Sequence, residues 1–328
     1  MLSMGRVPGS LLFAGEDGIG KRLFALELAK AMNCREPKGS EACDSCAPCL
    51  RIERFQFPPA DDADANKKII WSEHPDIGLV RPAGRFLLVA QMREIEREAN
   101  FRPYEGRARF FLIEEADRLN EPSANALLKT LEEPPETTHI VLLTKRPAAL
   151  LPTIRSRCQI IRFAPLRVEE IEKHLISERR MPKREANLLA HIARGSLGRA
   201  ISTDLAAFRE QRDRMLEVLS SLALTADRAR LLRIAEEMND AKRKDEYEPR
   251  LDVLEMLVHD VWALGLGASP ERIVNSDVDS ELKKISASVS TRRAARWITE
   301  IETLRGQLAV NVNRKVATDA LFLSMAGE

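Results

Sequence analysis

Apolar residues in the first half of the chain fall in short runs separated by stretches with helical spacing. Residues 11–14 (LLFA), 110–113 (FFLI) and 140–144 (IVLLT) each end at a glycine, an acid or a lysine and lead into a helical pattern. That alternation predicts a parallel sheet flanked by helices. The clearest helix follows Asn120, a candidate cap: Ala124, Leu127, Leu128 and Leu131 recur at i, i+3, i+4 and i+7, and Pro134 and Pro135 form the stop. Its apolar face should lie against the sheet. After 163–165 (FAP) strand signals fade, and helical spacing returns through 169–175 and 186–193 up to Gly195 and Ser196. Longer amphipathic stretches follow at 215–224, 229–238, 251–264 and 291–310, broken by the charged run 242–245 and by 265–270. The pattern divides the chain into an α/β domain over 1–164, a small helical domain over 165–204 and an all-helical domain over 205–328. Between Cys49 and His74, prolines and acids without a period predict an exposed loop or irregular insertion. No internal repeat is present.

Composition narrows the class without changing this division. The 328 residues suffice for two or three domains, and 44% hydrophobic with 31% charged residues describes a globular protein. The apolar stretch at 11–14 is too short for a signal-peptide core and no run is long enough to span a bilayer, so a cytoplasmic location is expected. Fifty-one Lys and Arg against fifty Asp and Glu leave a net charge of +1. No overall field draws the chain onto a polyanion, so any DNA contact is local or made through a partner.

Gly15-Glu16-Asp17-Gly18-Ile19-Gly20-Lys21 follows a predicted strand and opens a helix, the context of a phosphate-binding loop. Its glycines let backbone N–H groups turn toward an anion, and Lys21 has the reach for the outer phosphates. The next position calls for a hydroxyl to ligate Mg²⁺; Arg22 stands there, with no acceptor atom and a positive charge. Glu114 and Glu115 close an apolar strand as a metal-holding and a water-orienting acid would, though the first such acid is usually Asp. The same residues also suit a plain strand-to-helix turn and a helix start favoured by its dipole.

Cys34, Cys43, Cys46 and Cys49 give the spacing C-x8-C-x2-C-x2-C. Four thiolates on one ion close a tetrahedron, so the site would be structural and zinc is the leading occupant. An iron–sulfur cluster and free buried thiols are the alternatives, and the run lacks a downstream cysteine followed by proline. Cys158 stands apart, in the phrase Pro152-Thr153-Ile154-Arg155-Ser156-Arg157-Cys158, where a proline limits a short helix. Arg157 taken alone reads as a surface residue.

The order of these phrases carries more than any one of them. GEDGIGK, the four cysteines, His74-Pro75-Asp76, FFLIEEADRLNEPSANALLKTLEEPP, LLPTIRSRC, GSLGRA and the terminal NVNRKVATDALFL together resemble the bacterial sliding-clamp loaders of the AAA+ class. The resemblance spans nearly the whole chain, and ANALLKTLEEPP and Ser156-Arg157-Cys158 are its most specific parts. It implies an AAA+ P-loop domain bearing a zinc module at 34–49, a helical lid and an all-α collar. It further implies a hetero-pentameric ring with gamma/tau motor and delta subunits, acting on a sliding clamp and, through the complex, on primed DNA, with no membrane. Within the family Arg22 and His-Pro-Asp favour the subunit that is not the motor. Gly15, Gly18, Gly20, Lys21, Arg22, Glu114 and Thr144 then mark a degenerate nucleotide site, with Glu115 in the place of the catalytic acid. Arg157 would be an arginine finger offered to the ATP of a neighbour. ATP hydrolysis at the chain's own site is expected to be weak or absent. The segment before Leu11 is shorter than the family's, and Arg199 falls one position later than the motor's second phosphate sensor.

Two rival readings make different predictions. An active gamma/tau-like ATPase would turn over alone. A zinc-bearing nucleic-acid module would carry a basic stripe with aromatics, whereas the basic clusters at 179–180, 242–244 and 292–293 are scattered and aromatic residues make up 5% of the chain.

Overall fold

The computed structural model describes residues 7–59, 62, 67–240, 246–269, 272–309 and 312–327. The charged run at 242–245, Pro270 and Val310 lie outside the described residues, as does most of 60–66. Two compact units emerge: Met1–His174 with Ala193–Ile201, and Leu175–Ile192 with Ser202–Glu328.

The first unit is built on a sheet ordered β2-β3-β4-β5-β1-β6, with β1 at Ser10–Ala14, β2 at Ile70–Trp71, β3 at Ile77–Val80, β4 at Arg109–Ile113, β5 at Thr138–Thr144 and β6 at Gln159–Arg162. All pairings are parallel except that of β2 with β3. The three expected strands, β4, β5 and β1, lie side by side in its interior. They are buried on both faces, so they read as continuous apolar runs, as covered parallel strands do. Successive side chains still serve opposite layers. Leu11, Phe13, Phe110, Leu112 and Val141 pack on one face with α1 (Lys21–Asn33) and α2 (Ala47–Ile52). Leu12, Phe111, Ile113, Ile140 and Leu142 pack on the other with α3 (Val89–Ala99) and α4 (Glu121–Glu132). Each Leu or Phe so buried is worth about 1.5–3 kcal/mol in transfer free energy.

The helix after Asn120 is α4. The Asn120 side chain accepts the Ser123 amide at 3.0 Å, and Ala124, Leu127 and Leu131 face the core while Leu128 is half-buried. The remaining strands escape the periodicity reading because they are short or edge-bound. β3 contains a glycine, and β6 exposes most of its length because nothing pairs beyond it in the sheet. The stretch read as a loop between Cys49 and His74 contains β2, whose Ile70 is buried although two residues show no period.

The second unit is helical, with α7 (Lys183–Ile192), α9 (Leu205–Ser220), α10 (Arg228–Met238), α11 (Tyr247–Gly265), α12 (Asp279–Ser288), α13 (Thr291–Ala309) and α14 (Arg314–Ala326). Trp297, Tyr247 and Phe322 are among its largest fully buried side chains. Asp204, Asp227 and Asn313 cap α9, α10 and α14 through their side-chain oxygens. Before α10 the last turn of α9 widens into a π turn at Ser221–Thr225. α6 (Val168–Arg179) precedes α7, and the short α8 (Leu197–Ser202) begins in the 193–201 stretch that belongs to the sheet-bearing unit. No helix among the described residues is long and apolar enough to cross a membrane.

Candidate functional site

The loop between β1 and α1 turns through Gly18 at φ 74° and Gly20 at φ 101°. That left-handed backbone is costly for side chains bearing a Cβ, which explains glycine at both positions. Beside the loop lies a cavity of about 460 Å³, walled by the ends of β4 and β5 and by Leu166, Leu197, Gly198 and Ile201. The size suits a small molecule. The predicted residues Gly18, Gly20, Lys21, Arg22, Glu114, Glu115 and Thr144 all line it, while Gly15 starts the loop by donating its amide to Thr144 at 3.1 Å.

Each charged residue lining this cavity has a polar partner close by. The Lys21 ammonium donates to the carbonyls of Gly15 at 2.6 Å and Glu16 at 2.7 Å, and burial holds its pKa below the ordinary range despite Asp17 and Glu16 nearby. Lys145 donates to Asp17 at 2.8 Å. Arg22 reaches across to Glu114 at 3.4 Å and lies over the ring of Phe57. Burial lifts the Glu114 carboxyl above the usual range, with Arg22 pulling the other way. Glu115, in left-handed backbone at φ 47°, pairs with Arg118 at 2.9 Å.

Thr144 donates to Asp117 at 2.8 Å and accepts the Arg146 amide at 3.0 Å, while the Arg146 guanidinium clasps the other Asp117 oxygen at 2.7 and 2.9 Å. Burial works upward on Asp117, but the Arg146 and Thr144 bonds prevail and hold its carboxyl below the usual range. Asp117 was not singled out in the sequence. Its signal was the third acid of Glu114-Glu115-Ala116-Asp117, and its partner Thr144 lies on another strand.

The 196–199 turn is fastened to the glycine loop. Gly198 donates its amide to the Gly18 carbonyl at 2.8 Å, and the Ser196 hydroxyl donates to the Asp17 carbonyl at 2.8 Å while accepting the Arg199 amide at 3.1 Å. A Cβ at Gly198 would lie 2.8 Å from the Gly18 oxygen and 2.9 Å from its Cα, both backbone atoms that cannot rotate away. Gly198→Ala is therefore expected to force the two loops apart at a cost of about 1–3 kcal/mol. Hydrogen exchange should quicken across residues 15–20. Exchange matching the parent would mean the loops do not touch in solution.

The second predicted cluster forms where α1 ends and α2 begins. The sulfur atoms of Cys34, Cys43, Cys46 and Cys49 all lie within 4.8 Å of one another, so the four can hold one metal ion. Cys34 and Cys49 are buried, and Cys43 and Cys46 are half-buried. Amides of Cys43 and Cys46 donate to the sulfurs of Cys34 and Cys43, each at 3.3 Å. Hydrogen bonds from Ser45 and Cys46 pull the Cys43 thiol down to about 6, whereas burial and the Cys46 sulfur push Cys49 up. Cys158 packs in the opposite face of the sheet, and burial alone raises its thiol to about 12. The His-Pro-Asp motif is a fastening beside the cysteines. His74 is fully buried with Nε2 3.2 Å from Glu105, and Asp76 accepts the amides of Tyr104, Glu105 and Gly106.

Arg157 lies elsewhere on the same unit. It follows α5 (Pro152–Arg155) and precedes β6. Because β6 runs parallel to β1, the amino end of β6 and the loop after β1 are at opposite ends of the sheet. The Arg157 side chain is 30% exposed.

A family model described as DNA polymerase III, delta subunit, matches residues 1–167, and its C-terminal counterpart matches 207–325. The DNA polymerase III subunit delta' of Bacillus subtilis is 30% identical over 98% of this chain and 91% of its own length. The subunit delta' of Escherichia coli is 26% identical over 97% and 89%. The Escherichia coli subunit tau is 33% identical, but over 73% of this chain and 36% of its own length. Relatives named delta' are thus matched nearly end to end and tau in part, and this chain belongs to the delta' family of DNA polymerase III subunits.

Proposed function

We infer that this clamp-loader subunit of DNA polymerase III is a non-hydrolysing member of a ring, which lends Arg157 to the ATP of a neighbouring motor subunit. The observation that carries the reading is the Arg22–Glu114 pair at 3.4 Å. It puts a guanidinium against the acid that would hold Mg²⁺, where the Ser or Thr ligand is also missing. Among the described residues lining the cavity, Lys21 is drawn onto its own loop carbonyls and Lys145 onto Asp17, so each must give up a bond to meet a triphosphate. The position of Arg157 at the far end of the sheet from this cavity supports action on another chain's nucleotide.

The rest of the reading follows the family. The four cysteines would hold zinc, whose tetrahedral preference suits four close sulfurs and whose role would be to brace α1 against α2. Residues 1–164 would serve as the AAA+ domain, 165–204 as the lid and 205–328 as the collar that joins a hetero-pentamer with gamma/tau and delta. The assembled ring would open a sliding clamp and place it on primed DNA in the cytoplasm. The net charge of +1 supports DNA contact through the complex over capture by the lone chain.

The isolated chain is expected to show no ATP turnover above background. Steady-state hydrolysis with Mg²⁺ is the test, and a turnover near ~1 s⁻¹, ordinary for an enzyme, would overturn the silent-pocket reading. The ring role is tested by reconstitution with gamma/tau and delta. Failure of this chain to enter a complex that loads clamps would reject it.

A further inference from the structure

Arg157 is not a free arm. Its Nε donates to Oε2 of Glu132 at 2.9 Å, Nη2 lies 2.9 Å from the same oxygen, and Nη1 donates to the carbonyl of Thr153 at 3.2 Å. These contacts come from two rigid supports. Glu132 is the last residue of α4, a helix pinned to the core by Ala124, Leu127 and Leu131, and Thr153 belongs to α5. Ile154, fully buried, anchors α5 in the same core. A guanidinium has five N–H groups in one plane. Once Nε and Nη1 are committed to Glu132 and Thr153, the plane is set, and the remaining N–H groups gather at its outer end. That end can bridge two oxygens of one phosphoryl group.

Resting on the reading of Arg157 as an arginine finger, we propose that Glu132 is its positioning residue. Glu132 holds the inner edge of the guanidinium and presents the outer edge to the neighbour's nucleotide. Arginine is flexible and loses much rotamer freedom when it must act from one orientation. A carboxylate supplied by the end of a packed helix removes that cost before the ring assembles. The pair adds little to folding, because Glu132 is 57% exposed and water screens exposed ion pairs. Its loss should therefore leave the fold intact and disturb orientation.

The test uses the reconstituted ring with clamp and primed DNA, and five forms of this chain: parent, Glu132→Ala, Glu132→Gln, Arg157→Ala and the double variant Glu132→Ala/Arg157→Ala. ATP hydrolysis, its KM, clamp loading and the melting temperature of the free chain are measured for each. Glu132→Ala is expected to slow the step that uses Arg157 by about tenfold to a hundredfold, since misplacement near 1 Å has effects of that order, with KM for ATP and melting temperature unchanged. Glutamine keeps an oxygen that can accept from Nε, so Glu132→Gln should recover most of the rate. Combined with Arg157→Ala, the Glu132→Ala change should cause no further loss in the clamp loading that the ring's other sites sustain. If Arg157→Ala impairs the ring while Glu132→Ala matches the parent, the positioning role is wrong and the finger stands. If Glu132→Ala still costs activity when Arg157 is already gone, Glu132 acts otherwise and the proposal falls. If both single alanine variants match the parent, the finger reading fails and takes this inference with it.

Discussion

Replacing Arg157 by alanine is expected to slow hydrolysis at the one neighbouring site it serves by about 10³- to 10⁵-fold, the range known for arginine fingers. The physical cause is charge. As the γ-phosphoryl group transfers, negative charge spreads over its outer oxygens, and a planar guanidinium meets two of them with parallel N–H donors in a site from which water is excluded. Arg157→Lys should be nearly as damaging, because an ammonium keeps the charge and loses the fork that Glu132 and Thr153 orient. Folding and assembly should be untouched, since the side chain is partly exposed and its partners Glu132 and Thr153 are exposed. Clamp-stimulated ATPase of the reconstituted ring and single-round clamp loading are the measurements. Because other sites in the ring keep working, total hydrolysis should fall partly while loading suffers more. Wild-type loading by both variants would make Arg157 an ordinary surface residue.

Loss of the metal is expected to have the largest effect on stability. Protein purified without chelator should carry about one zinc per chain, as a closed four-thiolate site requires. Apparent zinc-binding energies in small modules are about 10–16 kcal/mol, far more than the few apolar residues between 34 and 52 can supply. Within that stretch Cys34, Pro48, Cys49 and Ile52 are the buried anchors, and Cys46 sits at the start of α2 with its sulfur 3.4 Å from that of Cys49. Cys46→Ala should abolish stoichiometric zinc and loosen 34–53 in hydrogen exchange. The sheet should persist, since its two cores are built mainly from the strands with α1, α3 and α4. Elemental analysis decides the matter: metal near zero in the parent protein would reject the site.

Much of this was legible in the chain because the signals are local. Continuous apolar runs marked β1, β4 and β5, since a strand covered on both faces has no polar positions. Asn120 and the double proline bounded α4, since caps and stops act within one turn. The cysteine spacing marked four thiols that the fold brings close enough to hold one ion, since two residues between thiols suffice to aim both at one point. The glycine loop and the missing hydroxyl at Arg22 were visible for the same reason.

What tertiary structure alone decided involves groups far apart in the chain. Only folding brings the Arg22 guanidinium to the Glu114 carboxylate, 92 positions away. Asp117 became the partner of Thr144 and Arg146 because β4 and β5 are neighbours in the sheet. The contact of Gly18 with Gly198 needs two loops 180 residues apart to meet backbone to backbone. Edge strands β2 and β6 carry no periodic signal, since exposure and short length remove the burial that writes one. Arg157 shows the division most plainly: its triplet marked it as a candidate, but its orientation depends on a carboxylate 25 residues earlier. Local pattern is set by the chemistry of adjacent residues, whereas charge pairing and orientation arise where packed elements meet.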